Sequence, residues 1–173
     1  MLFRSAPGGK TTLMAQRMLN QGRIVAADIS QERLRAVAEN CARLGATCVE
    51  CAPSTAAAGT HAAFDRILID APCSNTGVMR RRTELRWRIQ PGEIDRLRGE
   101  QLGLLRQMAP RLKPGGTLVY STCSLEPDEN RGVVDAFLGE HGGAFALDSD
   151  RDLLPFRDQV DGAYCARIRR VQG

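Results

Sequence analysis

The sequence predicts an α/β fold, a three-layer sandwich around a mostly parallel β-sheet. Short apolar runs alternate with longer stretches of helical periodicity, which is typical of βαβ crossover units. Residues with distinctive side chains follow several of these runs, where the carboxyl ends of parallel strands form a ligand-binding edge. The 173 residues contain no linker, internal repeat or low-complexity tract. We therefore expect a single domain over residues 1–173.

The first half of the chain supplies three of the predicted strands. Few residues precede the glycine turn that begins at Ala6, so the first strand is expected to be short. Residues 23–28 form an apolar run that ends in an acid, which predicts a buried strand. Ser30 can cap the next helix, whose apolar residues recur at helical spacing until Gly45. Residues 47–51 predict the third strand.

The second half continues the same alternation. Residues 64–70 predict a strand that ends at Asp70, and residues 93–112 a long helix that the Lys-Pro-Gly-Gly turn at 113–116 would end. Three further elements follow, a strand, a helix and a closing strand, at residues 117–121, 128–140 and 164–170.

Composition favours a soluble cytoplasmic protein. Hydrophobic residues make up 43% and charged residues 25%, which is ordinary for a globular domain. No apolar run reaches the roughly 20 residues that span a bilayer, and the first ten residues do not resemble a signal peptide. We expect no membrane partner and a monomeric chain.

The six cysteines are expected to be reduced thiols, because no secretory signal is evident. Cys48 and Cys51 form a C-x-x-C spacing, but on a strand an offset of three places the side chains on opposite faces. No second pair or nearby histidine completes a zinc site, so we predict no metal. Cys41 and Cys165 are interpreted as core or surface residues.

A basic segment stands out between residues 80 and 88. It contains five arginines and one glutamate, a net charge of +4 that equals the net charge of the whole chain. Arginines beside an exposed aromatic suit a nucleic-acid backbone with a base to stack on, although a solvated arginine-rich loop is an equally good interpretation of this stretch alone. The predicted RNA contacts are Arg80, Arg81, Arg82, Arg86, Trp87 and Arg88.

A glycine pair at Gly8 and Gly9 predicts a ligand-binding turn. It is not a nucleotide-hydrolysing phosphate loop, because that motif requires glycine where Arg4 stands. A glycine turn that opens a helix instead lets the backbone approach a ligand closely. Asp28, about 20 residues further on, can accept hydrogen bonds from ribose hydroxyls. This pair of features favours a ribose-containing cofactor and leaves a dinucleotide and S-adenosylmethionine both open.

Two cysteine motifs narrow the chemistry, Asp70-Ala-Pro-Cys-Ser74 and Tyr120-Ser-Thr-Cys-Ser124. Carbon 5 of a pyrimidine is a poor nucleophile, but a thiolate that adds at carbon 6 makes it enamine-like and able to accept a methyl group. Covalent catalysis of this kind replaces one difficult step with two easier ones. Two cysteines at neighbouring strand ends could divide attack from release.

These motifs, in this order, resemble the Fmu/Sun family of RNA cytosine-C5 methyltransferases over nearly the whole chain. The family shows Ala-Pro-Gly-Gly-Lys, as here at 6–10, Asp-Ala-Pro-Cys-Ser, as at 70–74, and Thr-Cys-Ser, as at 122–124. Acidic residues and an asparagine follow, here Glu126, Asp128, Glu129 and Asn130. The resemblance implies a Rossmann-like S-adenosylmethionine-dependent methyltransferase fold and an RNA substrate, ribosomal RNA foremost and tRNA second.

The resemblance also implies a role for individual residues. Cys123 would be the nucleophile and Cys73 would promote product release, while Asp70 would line both the cofactor pocket and the target-base pocket. Asp28 would hold the ribose, with Arg33 in support. The residues expected around the methionine part of the cofactor are Arg4, Ser5, Ala6, Pro7, Gly8, Gly9 and Lys10.

The chain departs from the family pattern in two places that bear on activity. The opening strand is shortened, and the family's amino-terminal part is expected to be missing. An aspartate that the family places near the cofactor's adenine is replaced by Ala52, and Glu50 could substitute only if the strand register shifts. The alternative to an active enzyme is therefore a non-catalytic RNA-binding homologue. A DNA methyltransferase is disfavoured because Thr-Cys-Ser would then have no role.

Overall fold

The computed structural model describes residues 1–3, 6–53 and 64–171. The chain divides into two compact units, Met1–Ala62 and Ala63–Gly173. Each unit carries its own set of neighbouring strands and its own apolar core, and each is described in turn.

The first unit is a run of parallel βαβ crossovers. Its strands lie in the order β3-β2-β1, and both pairings are parallel, with Leu2 opposite Ala26 and Ile24 opposite Val49. The predicted short first strand spans two residues. The elements are β1 (Leu2–Phe3), α1 (Gly9–Arg17), β2 (Ile24–Asp28), α2 (Gln31–Arg43) and β3 (Val49–Pro53).

Local signals in the sequence account for the ends of α2. The Ser30 side chain accepts a hydrogen bond from the backbone N–H of Arg33 at 3.3 Å, as the predicted cap should. Gly45 adopts φ +66° just beyond the helix, a conformation that favours glycine. The buried face of α2 packs into an apolar cluster formed by Ala15, Ile24, Ala26, Val37, Cys41 and Ala46.

The prediction that Cys48 and Cys51 lie on opposite faces of one strand is wrong. Strand β3 begins at Val49, so Cys48 precedes it in a turn. Both Cys48 and Cys51 pack against the cluster around Val37. The alternation of faces holds only within a strand, which is why the offset of three does not separate these side chains.

The second unit holds four neighbouring strands in the order β4-β5-β7-β6. Strands β4 and β5 are parallel, whereas β7 runs antiparallel to both β5 and β6. The 3₁₀ turns Thr76–Val78 and Ala109–Arg111 lie after β4 and before β5. The elements are β4 (Phe64–Asp70), α3 (Leu85–Arg88), α4 (Pro91–Met108), β5 (Leu112–Thr122), α5 (Arg131–Glu140), β6 (Phe145–Leu153), α6 (Pro155–Asp158) and β7 (Ala163–Arg170).

The Lys-Pro-Gly-Gly stretch at 113–116 does not end a helix, contrary to the sequence prediction. Helix α4 already ends at Met108, and β5 starts at Leu112. The pairing with β4 jumps from Phe64 opposite Leu112 to Arg66 opposite Thr117. The four intervening residues therefore form a bulge within β5, as proline and glycine allow at a strand irregularity.

Strand β6 was not predicted, because its aspartates and arginine hide the strand pattern. Among the described strands it lies at the edge beside β7, and one of its acids faces two arginines of β7. Asp148 forms ion pairs with Arg169 at 3.2 Å and Arg167 at 3.5 Å, and Asp150 accepts a hydrogen bond from the Tyr164 hydroxyl at 2.9 Å. Charged residues on an edge strand also discourage pairing with other chains.

The core of the second unit is built by β4, β5, β7 and the helices that cover them. Tyr120 and Tyr164 are almost fully buried and meet edge to face, with ring centroids 6.4 Å apart. The His141 ring packs against the Phe137 ring, and its Nδ1 atom is hydrogen-bonded to the Phe137 carbonyl oxygen. Both contacts fit a structural histidine at a helix end. None of the described helices is both long and apolar enough to cross a membrane.

Candidate active site

In the first unit, the glycine turn leads directly into α1. Gly8 is the N-cap residue and adopts φ +108°, in the region that favours glycine, and no side chain caps the helix. A Cβ atom at Gly8 would lie 3.4 Å from the Cα of Val37. The Asn40 side chain donates to the Pro7 carbonyl at 2.8 Å. The turn is thus held close against α2, with the amino end of α1 uncapped by any side chain.

Asp28, at the carboxyl end of β2, is 1% exposed. One carboxylate oxygen accepts the backbone N–H of Ser30 at 3.1 Å, and the other accepts that of Ala6 at 3.5 Å. The predicted ribose-binding acid therefore also fixes the glycine turn to the strand end. A carboxylate has about four lone-pair sites, so acceptor capacity remains for ribose hydroxyls.

Several predicted cofactor residues lie on the surface of this turn. Pro7, Gly9 and Lys10 are exposed, and so is the side chain of Arg33 on the first turn of α2. Thr11, in the first turn of α1, is buried, and its hydroxyl oxygen has no partner among the described residues. An orphaned polar atom beside an uncapped helix start fits a site that completes its bonding with a polar ligand. Arg4 and Ser5 lie outside the described residues.

At the adenine end of the predicted cofactor site, neither Glu50 nor Ala52 supplies the aspartate that the family pattern has there. Glu50 pairs with Val25, before the end of β2, and its carboxylate forms a 2.6 Å ion pair with Arg23. Glu50 therefore does not take the place of the aspartate. Ala52 lies opposite Ala27, and the sequence from 54 to 63 contains no acidic residue.

In the second unit, the two motif cysteines meet. Strands β4 and β5 are parallel neighbours with Asp70 opposite Ser121, so the residues just beyond them lie at one edge. The backbone N–H of Cys123 donates to the Cys73 sulfur at 3.3 Å. The Ser121 hydroxyl donates to the Asp70 carboxylate at 3.1 Å. The structure thus brings Cys73 and Cys123 together, with Asp70 on the same strand ends.

The environment of Cys73 keeps it protonated. Burial raises the pKa of Cys73 from the ordinary 9.0 to about 11, although N–H groups of Cys123 and Asn75 partly offset it, and the nearby Cys123 and Glu129 add to the rise. A thiol with that pKa is almost entirely neutral at pH 7. Cys73 is therefore suited to hold a proton rather than to attack.

A buried carboxylate joins the two segments that carry the motif cysteines, the Cys73 loop (residues 71–75) and the Cys123 loop (residues 123–126). Glu129 is 0% exposed. It accepts the backbone N–H of Ser74 at 2.9 Å and the hydroxyls of Ser74 and Ser124 at 2.5 Å each. Ser74 follows Cys73 and Ser124 follows Cys123, so one side chain is bonded to the neighbour of each thiol.

Helix α4 contributes a fourth donor to this network. The Gln101 amide donates to Glu129 at 3.0 Å and to the carbonyl of Pro72 at 2.7 Å. Thr122 donates to the Asn130 side chain at 2.6 Å, and Asn130 donates to the Ser124 carbonyl at 2.9 Å. The segment after β5 is therefore bonded to itself, to the Cys73 loop and to α4.

Two glycines allow a further close contact beside Cys123. The N–H of Gly77 donates to the Cys123 carbonyl at 2.9 Å, and the N–H of Gly162 donates to the Gly77 carbonyl at 2.8 Å. A Cβ at Gly77 would lie 2.2 Å from the Gly162 oxygen. No side chain fits there, so the backbone itself supports the Cys123 carbonyl.

The described arginine side chains of the basic segment are all exposed, and two of them form ion pairs. Arg80 and Arg81 both form ion pairs with Asp161, at 2.6 and 2.9 Å. Arg82 and Arg86 are exposed, and Trp87 is 85% exposed. Arg88 ends α3, and its side chain is outside the described residues. The exposed tryptophan is a large flat surface in the same segment as the exposed Arg82 and Arg86 side chains.

Ser74, Ser124 and Glu129 belong to the sequence motifs, but the sequence assigns them no role. Gln101 lies outside these motifs and was not predicted to belong to the site. Gln101 lies four residues from both Leu97 and Leu105, and all three are buried. A polar residue within an apolar helical stripe was the available signal that α4 contributes to a buried polar network. Among the described residues, no group of three or more histidine, cysteine or acidic side chains could hold a metal ion.

Comparison with known proteins finds a family model and several relatives that match this chain. The family model described as 16S rRNA methyltransferase RsmB/F matches residues 3–169. The chain is 41% identical to the probable ribosomal RNA small subunit methyltransferase B of Bacillus subtilis, covering 96% of the chain and 42% of that protein. It is 41% identical to ribosomal RNA small subunit methyltransferase F of Aeromonas hydrophila, covering 90% of the chain and 34% of that protein.

Solved structures agree with this likeness. NSun6 from Pyrococcus horikoshii with SFG, an S-adenosylmethionine analogue, superposes with a TM-score of 0.89 at 30% identity, covering 100% of this chain and 48% of that one. A methyltransferase homologue from the same organism gives 0.83 at 32% identity, covering 98% and 61%. The predicted Rossmann-like methyltransferase fold is confirmed. The chain spans about two-fifths of the length of the curated relatives it matches, 42% and 40% for two of them.

Proposed function

Because the chain belongs to the 16S rRNA methyltransferase RsmB/F family, we propose that it methylates carbon 5 of a cytosine in RNA through a covalent cysteine intermediate. S-adenosylmethionine is the cofactor of this family, and small-subunit ribosomal RNA is the proposed substrate class. The observation that carries the proposal is the contact of the Cys73 sulfur with the Cys123 backbone at 3.3 Å. A methyltransferase that acts on an exocyclic amine has no use for two cysteines brought into contact in this way.

Cys123 is the proposed nucleophile. Its thiolate adds to carbon 6 of the cytosine, a carbon–sulfur bond forms, and the electron pair of the 5,6 double bond makes carbon 5 nucleophilic. When bound, S-adenosylmethionine supplies a methyl group activated by its sulfonium centre. Asp70 is proposed to contact the cytosine, since Ser121 orients one of its carboxylate oxygens.

Cys73 is proposed to act in release. The proton on carbon 5 leaves to water, its electron pair restores the 5,6 double bond, and the bond to the Cys123 sulfur breaks. The neutral thiol that burial maintains at Cys73 can give its proton to the departing sulfur and regain one from solvent. The same protonation keeps Cys73 from competing as a nucleophile.

The glycine turn and Asp28 are proposed to hold the methionine and ribose parts of the cofactor. The uncapped start of α1 and the orphaned Thr11 hydroxyl support this placement. We extend the proposal to Ala6, Pro7, Gly8, Gly9, Lys10 and Arg33, and to Arg4 and Ser5 from the family pattern alone.

RNA is proposed to contact the basic segment at Arg82, Arg86 and Trp87. Stacking of a base on an aromatic side chain is worth about 1–3 kcal/mol, so Trp87→Ala should weaken RNA binding about tenfold. Phe156→Ala is the matched control, because Phe156 is equally exposed, at 84% against 85%, and lies outside the segment. Filter binding of a 16S rRNA transcript measures both. Equal losses in the two variants would contradict the assignment.

The covalent mechanism is tested by Cys73→Ala. This variant should accumulate a protein–RNA adduct that survives denaturing electrophoresis in the presence of S-adenosylmethionine, because attack proceeds and release does not. The double variant Cys73→Ala, Cys123→Ala should form none. A folded Cys73→Ala protein that yields neither adduct nor methylated RNA with a 16S rRNA transcript would refute the proposal.

A second candidate is a non-catalytic RNA-binding homologue, favoured by one observation. Glu50 is committed to Arg23, and Ala52 replaces the expected acid near the adenine. Calorimetric titration with S-adenosylmethionine separates the two functions. Micromolar or tighter binding would exclude this candidate, whereas absence of binding to the folded protein would favour it.

A further inference from the structure

We propose that Glu129 is the positioning residue of the two-thiol site, setting the Cys73 loop against the Cys123 backbone through Ser74 and Ser124. The inference rests on the proposed function and deepens it. Glu129 acts through the residue that follows each cysteine.

The bonds to Glu129 have a set direction, because an ionised carboxylate can only accept. Both serine hydroxyls lie 2.5 Å from the same carboxylate oxygen, so each donates its one proton to it. The Ser124 oxygen then accepts the N–H of Glu126 at 3.0 Å, and the Thr76 oxygen accepts the N–H of Leu125 at 2.8 Å. The two serine protons are therefore directed to Glu129, while backbone N–H groups bond to the Ser124 and Thr76 oxygens.

The Glu129 carboxylate is buried, so breaking any of its hydrogen bonds to the two loops costs free energy that water cannot restore. An ionised group removed from water is stabilised only by several good hydrogen bonds. Here four donors supply them, from Ser74, Ser124 and Gln101. Bonds to a charged acceptor are about twice as strong as neutral ones. Moving either cysteine loop would break one of these bonds inside the protein.

The same network reaches the cysteine that the release step uses. Gln101 holds the Pro72 carbonyl at 2.7 Å, and Glu129 holds Ser74, so Cys73 is flanked by fixed backbone on both sides. Glu129 also contributes negative charge near the Cys73 thiol. Its loss should free the Cys73 loop more than the Cys123 loop, because Asn130 bonds to Thr122 and Ser124 on either side of Cys123 without Glu129.

Glu129→Gln is the variant of choice, since the amide keeps the shape and the serine hydroxyls can turn to accept its NH₂ group. Asp128→Asn is the matched control, removing one acid from the exposed neighbouring position. Misplacing a reacting group can cost about 100-fold in rate. We expect Glu129→Gln to slow methyl transfer about 10- to 100-fold, to trap adduct as Cys73→Ala does, and Asp128→Asn to do neither.

An activity-independent readout accompanies this assay. Tryptic peptides 67–80, 112–131 and 158–167 each carry one cysteine, namely Cys73, Cys123 and Cys165. Iodoacetamide labelling of the folded protein, followed by mass spectrometry, reports how accessible each thiol is. Glu129→Gln should raise the labelling of Cys73 relative to Cys165, about tenfold if the loop opens. A role in fold stability alone would not change this ratio below the unfolding transition.

The outcomes separate cleanly. If Glu129→Gln lowers activity and thermal stability while the Cys73 labelling ratio and the trapped fraction stay at wild-type values, the proposal is overturned. Wild-type values throughout would overturn it as well. Should Glu129→Gln fail to fold, Ser74→Ala must show the same changes at smaller size. If wild type and Cys73→Ala give neither methylated RNA nor adduct, the proposed function fails, and the labelling ratio still decides the role of Glu129.

Discussion

The cysteines of the two units differ in what surrounds them. In the first unit, Cys41, Cys48 and Cys51 pack against one apolar cluster, and burial raises the pKa of Cys41 and of Cys51. In the second unit, Cys73 lies against a backbone N–H and beside a network of serines, a glutamine and a buried glutamate. The residue type is the same, so the polar partners distinguish the proposed reactive pair from the packing cysteines.

Loss of methyl transfer is the largest expected difference between the two sets. Cys123→Ser should abolish activity, a fall of about 1,000-fold or more, because a hydroxyl is a far weaker nucleophile than a thiolate. Cys51→Ser should leave the rate at half the wild-type value or better, about a twofold change at most, because Cys51 packs against the apolar cluster of the first unit. Labelled-methyl transfer to a 16S rRNA transcript measures both. Comparable losses of methyl transfer in the two variants would contradict the proposed difference between the cysteines of the two units.

Thiol reactivity against pH should sharpen the comparison. With the pKa of Cys73 at about 11, its thiolate fraction at pH 8 is about 100-fold below that of a thiol of ordinary pKa. Raising the pH ionises Cys73, so its iodoacetamide labelling should rise about tenfold per pH unit until pH 11. Peptide mapping follows the rate, with exposed Cys165 as the internal reference. Fast labelling of Cys73 at pH 7 would show that burial does not protect it.

The smallest expected effect is on stability alone. Cys41→Ser places a hydroxyl in an apolar cluster and should lower the free energy of unfolding by about 1–3 kcal/mol. Cys165→Ser, at an exposed site, should change it by less than about 0.5 kcal/mol. Urea denaturation followed by circular dichroism measures the difference. The methyl-transfer rate below the unfolding transition should be the same in both variants.

The sequence was sufficient for the strands other than β6 and for the placement of the two cysteine motifs at neighbouring strand ends. Apolar runs that end in Asp28 and Asp70 are strong local signals, and parallel strands bring their ends to one edge. The bulge at 113–116 was misread, because proline and glycine indicate a break without saying whether a helix or a strand is broken. Strand β6 could not be predicted from its charged sequence, because it forms by pairing along its length with β7, a contact between separate parts of the chain.

The role of Glu129 could not be predicted for a related reason. Glu126, Asp128 and Glu129 are neighbouring acids in one segment, and nothing local says which of them points inward. The choice is made by donors far away in sequence, at Ser74 and Gln101. Buried polar networks are specified by tertiary contacts, so a motif locates them without giving their bonds.

Identification of the attacking thiol tests the central claim most directly. In RNA transcribed with 5-fluorocytidine, carbon 5 carries no proton to lose, so the wild-type chain with S-adenosylmethionine should remain bonded to the base after methyl transfer. Tryptic digestion and mass spectrometry then locate the bond. We predict the modified nucleotide on peptide 112–131, at Cys123. Its appearance on peptide 67–80, at Cys73, would contradict the division of labour between the two thiols.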